Sequence, residues 1–382
     1  MREMVRLGDI CRKITDGTHH SPVNRPVGPF KYITAKNIKP WGLDLSDITY
    51  VDEPTHREIF SRCDVQPNDV LLVKDGATTG RVAVNTLQEP FSLLSSVGVL
   101  RPGPNLEPRY LAYALQSPGV QDAMFAKMSG VAITRLTLKK IKEIEVPVVG
   151  LDEQRHIVAE IDKQFSRLDE AVANLQRVKA NLKRYERSTI QSLTDPKSFE
   201  SAVSGCLADV AHSLDNMRKP VNKLERAKRP GTIPYLGANG PTGTIDVPLF
   251  DEELVLVVED ETFVGRITPF SYYFSGPCWV NNHTHVLRAK PDKVLPKYLN
   301  LALSYYPFIP LTTGSTGRRK LTKAALMAAP ITVPTLEVQR YVISEADRRL
   351  SVMRQVHVEV EANLHRAQAL KQSVLTRSFK LQ

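Results

Sequence analysis

DEQRHIVAEIDKQFSRLDEAVANLQRVKANLKRYERSTIQSL, residues 152–193, contains neither glycine nor proline, and Ile161, Leu168, Leu175 and Leu182 recur in it at every seventh position. Residues seven apart share a face in a coiled coil, so the stretch predicts one long amphipathic helix, with Ala171, Val178 and Tyr185 as companions on the seam. At 1.5 Å per residue such a helix is about 60 Å long. A narrow apolar face of that length cannot be buried on one small domain, so its expected partner is a second helix of the same kind. Residues 337–378 supply one. They too lack glycine and proline, and Val342, Ala346, Met353, Val356, Val360, Ala367, Leu370 and Val374 form a less regular stripe.

Outward from the helices, the chain repeats itself with a period near 185 to 200 residues. Leu7-Gly-Asp9 recurs as Leu207-Ala-Asp209. Val73-Lys-Asp-Gly76 with Gly80-Arg81 recurs as Val258-Glu-Asp-Glu261 with Gly265-Arg266. Pro108-Arg-Tyr-Leu111 recurs as Pro296-Lys-Tyr-Leu299, Arg135-Leu-Thr137 as Lys320-Leu-Thr322, and Gln154-Arg155 as Gln339-Arg340. Matches in one order at nearly constant offset mark a duplication of domain size. Residues 1–150 and 196–335 share a texture of Gly, Pro and short apolar runs, such as Asp69-Val-Leu-Leu-Val73 and Leu254–Val258, which reads as strands between turns. The expected fold is α+β: two duplicated mixed α/β domains, 1–150 and 196–335, and two long helices, 151–195 and 336–382, pairing as a coiled coil. Antiparallel pairing would make the molecule pseudo-twofold symmetric. The seam alone fits either direction.

The composition is that of a folded protein, 42% hydrophobic and 24% charged, with a net charge of +10. A basic surplus favours encounter with phosphate polymers. The N-terminus, charged at Arg2, Glu3, Arg6 and Asp9, lacks the apolar stretch of a secretory signal, and no run approaches the 18 apolar residues of a membrane span. Cys11, Cys63, Cys206 and Cys278 lie far apart, in neither a zinc spacing nor a disulfide framework. The expectation is a cytoplasmic protein with reduced thiols.

Against this background, several segments resemble a known family. Ser129-Gly-Val-Ala-Ile-Thr-Arg-Leu-Thr-Leu-Lys-Lys-Ile-Lys-Glu-Ile-Glu-Val-Pro147 with Leu151-Asp-Glu-Gln-Arg-His-Ile-Val158 is similar to the junction between recognition domain and spacer helix in the specificity subunits of type I restriction-modification systems. Asp16-Gly-Thr-His19, Tyr32-Ile-Thr-Ala-Lys-Asn-Ile38 and Asp69–Gly80 resemble further parts of their target-recognition domains, as do Ile233–Gly240 and Trp279–Arg288. The second junction departs from the pattern: Val338-Gln339 stands where the first has Glu153-Gln154. The resemblance implies a subunit in which each domain reads one half of a split, asymmetric DNA site and the helices set the gap. It further implies two modification subunits that methylate adenine and restriction subunits that translocate and cleave DNA, with S-adenosylmethionine, ATP and Mg bound by those partners.

The residues themselves point to no chemistry in this chain. No GxxxxGK[ST] loop is present to cradle ATP, and no Asn-Pro-Pro-aromatic segment to hold a flipped adenine. Gly76–Gly80 runs into Arg81 and an apolar stretch and reads as a turn. His283-Thr-His285 lacks the companion ligands of a metal site. DNA reading needs cations for phosphates and planar polar groups for base edges. In the first half the candidates are His19, His20, Asn24, Arg25, Lys36 and Asn37 on the loop 18–39, with Lys74 and Arg81. In the second they are Arg218, Lys219, Asn222, Lys228, Arg229 and Asn239 on the loop 216–239, with Asn282, His283 and the Arg318-Arg319-Lys320 run. Any one of these is more often a solvated surface group, so the clusters carry the expectation. For helix packing the candidates are Ile161, Leu168, Leu175, Val178, Leu182, Met353, Val356, Val360 and Leu370.

Overall fold

The computed structural model describes residues 3–40, 42–128, 135–261, 263–314 and 319–380. The chain divides into two compact units, Met1–Asn174 with Asn363–Gln382, and Leu175–Ala362. Each unit holds one globular domain, the first part of the long helix that leaves it, and the last part of the other long helix.

In the first domain, Val70-Leu-Leu-Val73 is buried at every position, because both faces of its sheet are covered. Val70 and Leu72 join one apolar cluster with Leu100, Tyr110 and Leu111, while Leu71 and Val73 join another with Ile33, Phe91 and Val99. That alternation is the two-residue period of a strand. The strand lies inside a four-stranded antiparallel sheet, between Val97–Pro102 and Val82–Val84, with Cys11–Asp16 at the far edge. The second domain repeats the device. Leu254 and Leu256 enter one cluster, Val255 and Val257 the other, and Phe250–Val258 runs antiparallel to Ser271–Val280 and Thr284–Ala289 inside a six-stranded sheet.

Each domain closes by pairing its first strand with its last. Glu3–Arg6 runs antiparallel to Glu145–Val148, and Ala202–Cys206 to Pro330–Pro334. The chain then enters the long helices, Leu151–Leu193 and Leu336–Phe379. One fully buried glutamine fastens each helix. Gln154 Oε1 accepts from Glu107 N at 2.8 Å, and its Nε2 donates to Asn105 O and Val149 O at 3.0 and 2.8 Å. Gln339 reproduces all three bonds with Leu295 N, Lys293 O and Pro334 O at 2.8, 3.0 and 2.8 Å. The Glu-to-Val departure one position earlier leaves this fastening intact: Glu153 is exposed, and Val338 packs against the apolar core of its own unit.

Within each unit the two long helices run antiparallel. In the first, Val158 and Ile161 share a cluster with Val374, Leu375 and Phe379, and further along Lys371 Nζ reaches Asp169 at 2.5 Å. In the second, Ile190 packs with Val342 and Ala346, and Lys179 Nζ meets Glu361 Oε1 at 2.6 Å. Later residues of one helix thus meet earlier residues of the other. Ile161, Met353 and Val360 are buried, and Leu168, Leu175 and Leu182 are half-buried. Val178, Val356 and Leu370 instead face solvent, at 40%, 38% and 48% exposure, as does Tyr185. The companion row of the first helix is Phe165, Val172, Lys179 and Glu186, four residues beyond each heptad position rather than three. Apolarity selected the wrong row because the true one ends in two charged residues, the first of them satisfied by Glu361.

Two outcomes test this arrangement. Gln339→Ala leaves three backbone groups without their partner, at about 1–3 kcal/mol for each one left unpaired and out of reach of water, so the unfolding midpoint should drop clearly; an unchanged midpoint would show the fastening to be dispensable. Between two residues of one type, Val172→Asp should destabilise by more than about 1 kcal/mol and Val178→Asp by less than about 0.5 kcal/mol. The reverse order in chemical denaturation would restore the other row.

Candidate nucleic-acid interface

At the end of the central strand of the first domain, Lys74 is buried, and a buried cation requires a paired anion. Its Nζ lies 2.8 Å from Asp75 Oδ2 and 3.4 Å from Asp16 Oδ2. Asp16, itself buried, also accepts from Arg62 at 2.6 Å, and Arg62 donates to His19 Nε2 at 2.8 Å. The next residue must be glycine: a Cβ on Gly17 would stand 2.0 Å from Leu93 O. That close approach lets Thr18 N donate to Leu93 O and Thr18 O accept from Ser95 N, each at 2.8 Å, which sets the root of the loop carrying the histidines. The same centre tethers the segment leading to the first long helix, through Leu136 N to Lys74 O at 2.9 Å and Arg135 to Asp75 at 3.2 Å.

The second domain places a buried anion where the first has the cation. Glu259 accepts from Arg218 at 2.6 Å and pairs with Lys320 at 3.1 Å. Arg218 also donates to the carbonyls of Asn282 and Thr284 at 3.2 and 2.8 Å. His285 is buried between Asp215 Oδ2, 2.6 Å from its Nδ1, and Leu321 O, 2.8 Å from its Nε2. Leu321 N returns to Glu259 O at 2.8 Å, so the segment leading to the second long helix is tethered as in the first half.

These centres separate the expected DNA-facing residues into two groups. Lys74, Arg218 and Asn37 belong to the interior. Asn37 is buried, its amide accepting from Thr34 N and donating to Asp44 O, both at 3.0 Å. A base contact by any of the three would cost its internal partners. His20, Asn24, Arg25 and Lys36 remain exposed or partly so on the first domain, Lys36 beside Asp47 at 2.9 Å, while Arg81 is half-buried in its turn. On the second, Lys219, Asn222, Lys228, Asn282 and His283 are exposed. Asn222 caps the helix Lys223–Ala227, and His283 Nδ1 lies 2.7 Å from Asp260. Arg229 pairs with Asp246 at 2.8 Å, Asn239 accepts from Arg266 at 2.7 Å, and Arg319 Nε donates to Thr312 Oγ1 at 2.8 Å. Arg318 and residues 129–134 lie outside the described residues.

Three separate segments of the second domain enclose an open cleft of about 430 Å³, lined by Asn222, Glu225, Arg226, Tyr235, Thr242 and residues 281–283 among others. The family described as type I restriction modification DNA specificity domain matches residues 2–184 and again 200–345. The chain belongs to this family.

A type I restriction enzyme specificity subunit of Haemophilus influenzae is 36% identical to the specificity chain over 142 residues, 37% of this chain and 35% of that protein. The match therefore spans about a third of that relative's length. The StySPI specificity subunit of Salmonella potsdam is 21% identical over 91% of this chain and 81% of its own length. Two solved structures share the fold. One, from work on complex assembly and conformational transition of the type I R-M system, has a TM-score of 0.74 at 17% identity, over 99% of this chain and 97% of that one. The other, the HsdS subunit of Thermoanaerobacter tengcongensis, has a TM-score of 0.54 at 16% identity, over 99% and 96%. Among the described residues, no helix is long and apolar enough to cross a membrane.

The buried centre of the second domain makes the specificity chain sensitive to acid. Burial pushes Asp215 and Glu259 upward, but both end below their ordinary values of 3.8 and 4.5. For Asp215 the hydrogen bonds of His285 and Val286 N and the charges of His285 and Arg218 outweigh burial. For Glu259 the bond from Arg218, the charge of His285 and the bond from Lys320 do so. A carboxylate lowered in the folded state contributes stability that is complete above its unfolded value and lost as the pH falls through the folded one. Hydrogen exchange of Thr284–Ala289 should therefore accelerate as the pH drops below 3.8, after correction for intrinsic exchange. Asp215→Asn should flatten that dependence; an equally steep loss in the variant would place the acid-sensitive groups elsewhere.

Proposed function

We propose that the chain is the DNA-recognition subunit of a type I restriction-modification complex and has no catalytic role of its own. Each domain reads one half of a bipartite, asymmetric site, and the antiparallel helices fix the gap. Two modification subunits dock on the helices and methylate adenine within the half-sites. Restriction subunits, where they join, add ATP-dependent translocation and cleavage. S-adenosylmethionine, ATP and Mg belong to those partners, and the complex works in the cytoplasm.

The observation that carries this reading is the repeated junction. Gln154 and Gln339 make the same three hydrogen bonds at the same place in two domains, and each thereby ties a reading module to the start of a long helix. With 43 and 44 residues, the helices are about 65 Å long. A matched pair of that length suits a spacer between half-sites on a duplex. The net charge of +10 suits binding to a polyanion.

Modularity supplies the test. Residues 1–150 exchanged for the same region of another member, in cells that also carry the modification subunit, should change one half of the methylated sequence and keep the other half and the gap. Methylation sequencing reads both halves at once. A simultaneous change of both, or methylation with no bipartite pattern, would overturn the reading.

A further inference from the structure

The cleft of the second domain is held from behind and open in front. Tyr235 Oη donates to Val221 O at 3.0 Å, Trp279 Nε1 donates to Lys219 O at 2.9 Å, and Arg218 donates to Asn282 O at 3.2 Å. Asn281 Oδ1 accepts from His283 N at 3.0 Å and Thr284 Oγ1 at 3.3 Å. The segments forming the rim are thus fixed by their backbone, while Glu225, Asn282 and His283 keep exposed side chains. Arg226 lies over the Tyr235 ring, its Cζ 4.3 Å from the centroid. A stacked guanidinium has its plane set by the ring and offers its N–H edge to a partner, a geometry suited to paired acceptors.

The charges around the cleft divide cleanly. Arg218 and Arg229 are paired with Glu259 and Asp246. Lys219, Lys223 and Lys228 are exposed, and none of them has an ion pair among the described residues. Small-molecule pockets are mostly apolar and enclosed. This one is open and presents a guanidinium, a primary amide and a carboxylate on rigid backbone, beside lysines suited to phosphate.

Resting on the specificity-subunit reading above, we propose that the second domain reads its half-site through this cleft, with Arg226 and Asn282 as the residues that select bases. Arg226 donates a paired set of hydrogen bonds to a guanine edge, and Asn282 both donates to and accepts from an adenine edge. Glu225 accepts from an amino group and disfavours a misplaced phosphate. Lys219, Lys223 and Lys228 hold the backbone in register without reading sequence.

The test uses the full chain assembled with its modification subunits. Arg226→Ala, Asn282→Ala and Glu225→Gln are mapped by methylation sequencing. Arg226→Lys keeps the charge and removes the planar fork, in case loss of stacking in Arg226→Ala unfolds the domain. Discrimination at one or two positions of a single half-site should fall about tenfold to a hundredfold, with the other half-site and the gap unchanged. Replacing the three lysines together by Ala should weaken binding to every sequence and reduce the slope of log K against log salt by about 2–3. If the wild type methylates a bipartite site and the folded variants keep both halves and their discrimination, the cleft is not the reader, although the subunit reading stands. If the wild type yields no bipartite methylation, that reading falls and takes the cleft with it.

Discussion

A buried primary amide with three correctly placed backbone partners is the constraint on which the rest of each unit depends. Gln154 and Gln339 each supply two donors and one acceptor, and each joins the turn before a largely buried helix of its domain, Pro108–Gln116 or Pro296–Ser304, the N-terminus of that helix and the end of the closing strand. No other uncharged side chain except asparagine carries the same donors and acceptor, and asparagine is one methylene too short. Loss of any one partner would leave a polar backbone group buried, so the three segments are held together or not at all. Each long helix consequently leaves its domain in one direction. A helix can act as a measure of distance only if its attachment does not swivel.

The second shared constraint concerns charge rather than hydrogen-bond count. Lys74 and Glu259 stand at equivalent points of the two central strands, and both are buried. What recurs is neutralisation, not sign. Asp16 and Asp75 surround the lysine, while Arg218, Lys320 and His285 surround the glutamate. Removing one member of such a centre exposes the desolvation penalty of the rest, which couples the loop root, the strand end and the segment that leads to the long helix. Two copies of one fold have diverged here by exchanging whole sets of charges.

Much of this was legible in the sequence, and the failures have physical causes. Duplication, strand-like runs and long helices depend on local pattern and on self-comparison, and Val70–Val73 and Leu254–Val258 fold as those patterns predict. Lys74, Arg218 and Asn37 read as surface groups because their partners, Asp16, Glu259 and Asp44, come from elsewhere in the chain or from backbone atoms, which residue type does not reveal. The helix seam failed differently. Apolarity favours Ala171, Val178 and Tyr185, but a charged pair such as Lys179 with Glu361 can occupy a seam position that a hydrophobic pattern assigns to solvent. The repeated Gln-Arg at 154 and 339 was visible as a match between halves, while its role as a three-way fastening required the fold.

Placement of the cleft in the second domain follows from how its rim is attached. Tyr235, Trp279 and Arg218 hold the rim through the carbonyls of Val221, Lys219 and Asn282, not through their side chains. A carbonyl is present whatever residue occupies the position. Side chains at 219 and 282 can therefore change without removing the hydrogen bonds that shape the cleft, whereas a change at Tyr235, Trp279 or Arg218 removes one outright. The division separates a layer that sets the geometry, made of aromatics and a buried charge centre, from a layer of exposed side chains that does not. Single substitutions in the exposed layer should therefore cost the domain little of its own stability, because surface substitutions away from packing and polar networks typically change stability by less than about 0.5 kcal/mol.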